Sequence, residues 1–392
     1  MSRSVSAGFG AFALALLVTG CAEQNMRELV GNRVVDAPAS AISARHEIFV
    51  ATTRAKAADP KEVYAGERSP TVSFARVDMT VPAIHEAGKI ERRSTRGQSA
   101  DPAKYFVAER VATFDSADKF SKSLREDIAS RGGRALVFVH GYNTAFDSAV
   151  YRLTQIAHDS GYSGTPVLFS WASSGNVVDY VYDNNSATAA RDALEETLRL
   201  VAKSGAKRID IIAHSMGNWV TMEALRQLAA AGDPDLGNRL GDVVLASPDI
   251  DVDVFKSQMR RYGKPHKPFF LLLSGDDRAL ELSRIIAGNK PRLGGYKNAA
   301  DIASLGVTVV DLSNVSAGGD PLNHTKFADN PVLVKLLGDK LHDDGGFGID
   351  ERAGRNRLGS LAGGITQTIT SAAEIVITTP FEVMNVVVGG PK

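Results

Sequence analysis

In the stretch "RIDIIAHSMGNWVTMEAL" (Arg208 to Leu225), an apolar run leads into a serine, Ser215, and an amphipathic run (Val220, Ala224, Leu225, Leu228) follows it. A serine hydroxyl attacks a carbonyl at neutral pH only when an adjacent base takes its proton and the turn exposes it. Strand, sharp turn and helix, in that order, put Ser215 at a helix N-terminus, where the backbone N–H of Met216 can face a developing oxyanion. The spacing fits the nucleophile turn Gly-x-Ser-x-Gly at Gly217 and departs from it at Ala213. Small residues are needed at both positions because strand and helix approach closely. Alanine adds one methyl, a modest demand. The chemistry implied is acyl transfer through a covalent ester on Ser215.

Such chemistry needs a second oxyanion donor, a base and an acid, and each donor typically contributes about 3 kcal/mol to the transition state. The loop "HGYNTAF" (His140 to Phe146) follows the apolar run "ALVFV". Its His-Gly pair resembles the oxyanion loop of lipases and esterases, which assigns the N–H of Tyr142 as donor and leaves His140 a role within the loop. The base must come from eight histidines. His46 and His85 precede the central repeat, His158 lies in a helical pattern, His266 precedes a strand, and His342 ends a late helix pattern. His214 adjoins the serine, but its side chain is expected to face away. His324 remains, in "SAGGDPLNHTKF" after the strand "VTVVDLS"; standing alone it would read as an exposed loop histidine. Two clusters offer the acid: Asp249, Asp251 and Asp253 after "DVVLA", and Asp276 and Asp277 after "FFLLL". Asp277 is favoured because it follows the next-to-last strand and opens a helix pattern, a position where a capping role also suits it. Asp276 is the alternative.

These residues need a frame that brings strand ends together. Short β-branched and aromatic runs ("HEIFVATTR", "TVSFARVDMTVP") come first, then a charged connection over 84–103 and a helix pattern in "SADKFSKSLREDIAS". From "RALVFVHGYN" onward, apolar strands alternate with helices expected near 145–160 and 186–203. Continuous apolar runs of this kind mark strands buried on both faces. The alternation predicts an α/β fold, a mostly parallel central sheet with helices on both faces. Sites in such sheets gather at the carboxyl ends of the strands, and every polar cluster named above follows a strand.

With 392 residues the chain is long enough for one large α/β domain with appendages or for two ordinary domains, and with Lys+Arg equal to Asp+Glu at 45 each its charge favours no nucleic-acid partner. Cys21 is the only cysteine, which excludes internal disulfides and thiolate metal clusters. No His-Glu-x-x-His motif occurs, so neither a metal nor a cofactor is expected. The apolar run "AGFGAFALALLVTG" behind Arg3 suits a signal peptide over 1–20. Val18-Thr19-Gly20-Cys21 resembles the lipobox of bacterial lipoproteins, in which the cysteine is acylated and becomes the mature N-terminus. That implies a membrane partner through a lipid anchor on Cys21, each buried methylene contributing about 0.8 kcal/mol, with the outer membrane favoured by the residues after it. A tether over 21–44, a catalytic domain over 45–342 and a Gly-rich, then apolar, extension over 343–392 complete the expected layout.

Taken together, "VFVHGYNTAF", "LFSWASSG…YVYDNNSA", "IIAHSMGN", "DDRALELS" and Asn323-His324 resemble a bacterial family of α/β-hydrolases in the esterase/lipase superfamily, of unestablished function. The resemblance spans roughly His46 to His342. Where that family usually has proline after "FSW", Ala172 stands here. The resemblance implies the α/β-hydrolase fold and a triad of Ser215, Asp277 and His324, with Trp171, Tyr180 and Asp183 either lining the pocket or packing beneath the turn. It implies no particular substrate; the triad chemistry points to a small-molecule or lipid ester, with an amide or thioester as lesser alternatives. An acyltransferase using the same triad, or an inactive scaffold of the same fold, are the alternatives.

Overall fold

The computed structural model describes residues 27–176, 178–342 and 373–388. Cys21, the apolar run before it and the Gly-rich part of the extension lie outside the described residues.

The chain builds one 11-stranded sheet. Its strands are β1 (Ile42–Lys56), β2 (Tyr64–Pro82), β3 (Val107–Phe114), β4 (Arg134–Val139), β5 (Thr165–Ser170), β6 (Arg208–His214), β7 (Leu240–Ala246), β8 (Phe270–Leu273), β9 (Thr308–Asp311), β10 (Ala373–Thr378) and β11 (Val383–Val388). Their spatial order is β11-β10-β9-β8-β7-β6-β4-β5-β1-β2-β3. From β9 across to β1 every pairing is parallel, whereas β1–β2, β2–β3, β9–β10 and β10–β11 are antiparallel. Helices join or flank these strands: α1 (Ala117–Ser130), α2 (Phe146–Asp159), α3 (Tyr180–Ala189), α4 (Arg191–Lys203), α5 (Gly217–Ala230), α6 (Val252–Tyr262), α7 (Arg278–Ile286), α8 (Ala299–Ala303), α9 (Lys326–Asp329) and α10 (Pro331–His342), and those from α2 to α8 are the crossovers that make the centre parallel. Among the described residues no helix is long and apolar enough to cross a membrane.

Strand alternation sorts the core into two layers. Ala135, Val137 and Val139 of β4 join α1, α4 and α5 on one face, while Leu136 and Phe138 join α2 and α10 on the other. Each large side chain buried this way stabilises the fold by about 1.5–3 kcal/mol. The helix expected over 186–203 is two helices that meet at Ala190. β3 escaped notice in the sequence because exposed Glu109 and Arg110 interrupt its alternation.

Three boundaries differ from the sequence reading. The stretch read as a tether is docked from Arg27 onward: Leu29 is buried in the core, and the N–H groups of Leu29 and Val30 both donate to the carbonyl of Lys61. The C-terminal extension contributes β10 and β11, whose buried Ile375 and Ile377 pack on Val310 and Leu333, so this part completes the sheet. The charged connection after β2 is no simple surface loop, because Arg93 is buried and donates to the carbonyls of Gln98 and Glu28.

Candidate active site

Ser215 lies between β6 and α5 with φ +52°, the left-handed region that a non-glycine residue enters only at a cost of about 1–3 kcal/mol. Its own backbone shows what holds it there. The N–H donates to Ala246 at 3.0 Å, and the carbonyl accepts from the amides of Asn218 and Asp249 at 3.1 and 3.2 Å. The Asn218 side chain adds a donor to the same carbonyl at 2.9 Å. A Cβ on Gly217 would come within 2.3 Å of the His140 carbonyl oxygen, so only glycine lets α5 start this close to β4. Ala213 is fully buried between Val139 and Leu245 of the neighbouring strands, which have room for its methyl. Among the described residues, the amide of Met216 donates to no other group and stands at the N-terminal end of α5.

His324 faces the acid favoured by the sequence. Its Nδ1 lies 2.7 Å from Oδ2 of Asp277, and Oδ1 of Asp277 accepts from the Leu280 amide at 3.0 Å. Capping α7 and meeting the imidazole are therefore one arrangement, not rival roles. A carboxylate only accepts, so the Nδ1–H donates and Nε2 keeps its lone pair. Asp276 is engaged elsewhere: the nearly buried ammonium of Lys326 holds both its oxygens at 2.7 and 2.9 Å. Asp249 is likewise engaged, by Arg292 at 2.8 Å and Ser283 at 2.6 Å. Asp251 caps α6, accepting from the amides of Asp253 and Val254, so it too is engaged away from His324.

The loop that carries His324 is fixed from both sides. Asp320 accepts from the amides of Leu322, His324 and Thr325, and His324's carbonyl accepts from Ser247 Oγ at 3.0 Å and His214 Nε2 at 3.2 Å. His214 does not face away as expected. Alternation along β6 puts it on the same face as Ile212, and there its ring packs 4.7 Å from that of His324 and 5.0 Å from Phe327. Burial, reinforced by His324, keeps the His214 imidazole well below its ordinary pKa, so it stays neutral beside His324. For His324 burial also acts downward, but the charge and hydrogen bond of Asp277, with Asp320 and Asp249 behind them, outweigh it and raise the pKa above 6.5.

The 140–146 loop is built on a buried cation that the sequence alone does not reveal. Arg54 of β1 is 1 % exposed. It donates to the carbonyls of Thr144 (2.6 Å), Ser173 (2.7 Å) and Ala65 (3.0 Å), and to Ser170 Oγ (2.8 Å). Burial pushes its guanidinium down to about 10, with Asp183 and Asp147 opposing, so it remains charged at neutral pH. His140 stacks on Trp171 and donates from Nδ1 to the Gly141 carbonyl, while the Trp171 indole N–H donates to the His140 carbonyl at 2.8 Å. Burial, then Arg54, pushes His140 down to about 3, leaving it neutral. Asp183 accepts from the Asn143 and Ser174 amides and from Ser173 Oγ. Trp171 and Asp183 therefore pack beneath the loop, and of the three residues left open by the sequence only Tyr180 lines the pocket.

Ser215, His214, His324 and Tyr142 line one cavity of about 1050 Å³. One wall comes from the 86–94 segment and α2, another from α7 with Leu282 and Ile286. The wall cations Arg92 and Arg152 each hold a carboxylate, Asp147 at 2.7 Å and Asp329 at 2.6 Å.

Residues 116–340 match the model of a family described as alpha/beta hydrolase of unknown function (DUF900). Among solved structures the chain is similar to lipase B of Aspergillus fumigatus, with 14% identity and a TM-score of 0.38 over 59% of this chain and 59% of the lipase. It is also similar to an esterase of Pyrobaculum calidifontis, with 10% identity and a TM-score of 0.35 over 84% of this chain and 90% of the esterase. No curated relative matches in sequence. The fold is that of the α/β-hydrolases, a mostly parallel sheet with helices on both faces.

Proposed function

From a chain that belongs to the alpha/beta hydrolase family of unknown function (DUF900), we propose a serine hydrolase that cleaves an ester through an acyl-enzyme on Ser215. The observation that carries this is the left-handed Ser215 sharing one cavity with an imidazole whose Nδ1 is held at 2.7 Å by the Asp277 carboxylate. His324 Nε2 takes the hydroxyl proton as Ser215 Oγ bonds to the carbonyl carbon, and the carbonyl electrons move onto oxygen. The amides of Met216 and Tyr142 receive that oxyanion. On collapse the carbon–alkoxy bond breaks, and the leaving oxygen takes the proton from His324. Water then loses a proton to His324 as it attacks the acyl group, and Ser215 recovers its proton as the acid departs.

The test is covalent labelling. A fluorophosphonate should phosphonylate Ser215 in the folded chain with loss of fluoride, and p-nitrophenyl esters should turn over. A folded chain that neither labels nor turns over would make it a scaffold of this fold, and ester formation with an added alcohol in preference to hydrolysis would make it an acyltransferase. The pH profile adds a signature. The base acts only when neutral, so kcat/KM should rise with pH through a midpoint above 6.5, following the raised pKa of His324. Asp277→Asn removes the charge that raises it, so any residual acid limb should move to lower pH.

We also propose that acylated Cys21 anchors this hydrolase at the bacterial envelope, in the outer membrane, on the strength of the apolar run that ends at Cys21. Wild type should fractionate with membranes and Cys21→Ser should not. Equal fractionation of the two would overturn the anchor.

A further inference from the structure

Away from Ser215, three histidines from distant parts of the sequence draw together beside the 86–94 segment that walls the cavity. His85 Nε2 lies 2.7 Å from Oδ1 of Asp159, and their side chains are only 5% and 2% exposed. One ligand atom each from His85, His158 and Asp159 lies within 4.8 Å of the other two. His46 Nε2 stands 3.3 Å from His158 Nδ1. Among the described residues this is the one such grouping of three potential ligands.

We propose that His85, His158 and Asp159 bind a divalent first-row cation of the zinc class, which clamps the cavity wall to the end of α2. Two imidazoles and one carboxylate, without a thiolate, suit zinc, cobalt or nickel. They do not suit calcium, which takes six to eight oxygens, or magnesium, which takes octahedral oxygen.

What distinguishes the cluster from a chance meeting is the layer behind it. Metal-binding histidines hold their other ring nitrogen in a hydrogen bond that fixes tautomer and orientation. His85 Nδ1 meets Glu91 Oε2 at 2.6 Å, which leaves Nε2 turned to Asp159. Oδ2 of Asp159 accepts from the Gly88 amide at 2.8 Å and from Gln155 Nε2 at 2.6 Å, which leaves Oδ1 turned to His85. His158 meets His46 at Nδ1 (3.3 Å) and, more weakly, Ser43 Oγ at Nε2 (3.5 Å), so one of these contacts gives way when the metal binds. Tetrahedral zinc, with bonds of about 2.0–2.2 Å, separates neighbouring donors by about 3.3 Å. The His85–Asp159 pair would therefore open by about 0.6 Å, and the widest separation in the group, at most 4.8 Å, would close by up to about 1.5 Å. Water would complete the tetrahedron.

The consequence falls on the cavity, because Glu86, Gly88, Lys89 and Arg92 of the clamped segment line it.

The experiment uses the full chain without a polyhistidine tag, stripped with a chelator and titrated with Co²⁺. One equivalent should bind and give the intense visible d–d bands of tetrahedral coordination, and Zn²⁺ should displace it. His85→Ala and Asp159→Ala should each weaken binding by more than tenfold. Glu91→Gln, which keeps size and leaves the ligands in place, should weaken it about tenfold to a hundredfold. His266→Ala, at an exposed site elsewhere, should change nothing. Circular dichroism separates lost ligands from lost fold, and Glu91→Gln carries the test if the alanine variants unfold. Absence of stoichiometric Co²⁺ binding by wild type, or binding that all these variants leave intact, would show a purely hydrogen-bonded staple and end the proposal. The readout is metal binding, so it stands or falls apart from ester turnover.

Discussion

Replacing His324 with alanine is expected to lower kcat on an activated ester about a millionfold, and Ser215→Ala should do the same. The decisive feature is what happens when the two are combined. A nucleophile and its base act as one unit, so the double variant should be no slower than either single one. Asp277→Asn is expected to cost about ten-thousandfold, because an amide facing Nδ1 favours the wrong tautomer. Each rate is measured by steady-state turnover of p-nitrophenyl acetate, with thermal unfolding midpoints compared to wild type. The assignment fails if His324→Ala keeps wild-type turnover, or if the losses of the two single variants multiply in the double one.

The second large effect is expected at Arg54, which touches no reacting atom. Arg54→Met keeps the length and the apolar stem but withdraws every donor that Thr144, Ser173, Ala65 and Ser170 now share. Leaving buried acceptors and the nearby Asp183 uncompensated should destabilise the fold by about 3–5 kcal/mol, a fall of about 10 °C in Tm. The Thr144 carbonyl lies in the loop that carries Tyr142, so kcat should also drop, by about a hundredfold for a misplacement of about 1 Å. Arg54→Lys should recover little, because a single ammonium cannot reproduce the fork. Calorimetry and active-site-titrated kinetics check both. A variant with unchanged Tm and unchanged kcat would mean that the loop needs no such support.

Ser215 was legible in the sequence because its cause is local: an apolar strand, a turn of small residues and a helix lie within one short stretch. Asp277 and His324 were legible one level up, through the order in which strands deliver loops to one edge of a parallel sheet. Asp276 and Asp277 could not be separated by adjacency alone. What separates them is Lys326, 50 residues away, whose ammonium occupies Asp276. Arg54, Asp183 and Asp320 were silent for the same reason. Each is an ordinary polar residue until the fold surrounds it with backbone groups that need partners. His214 departs from expectation because strand alternation along β6, and not the turn after it, aims its ring at the His324 loop. The apolar runs mark the N-terminal strands but not their lengths, since β2 extends back from its apolar part through the exposed polar stretch before it.

The pairing of β1 with β5 carries a practical consequence for anyone dividing this protein. The family match begins at residue 116, yet β1 is the hydrogen-bonded neighbour of β5, and Phe49 and Ala51 sit in the same core as Val137 and Phe169. A truncated chain starting at residue 116 would leave β5, buried along its whole length, as a naked sheet edge. It would also lack the Arg54 guanidinium that holds the 140–146 loop. Such a fragment is expected to aggregate on expression, so the smallest piece suited to crystallisation, grafting or directed evolution has to begin before β1.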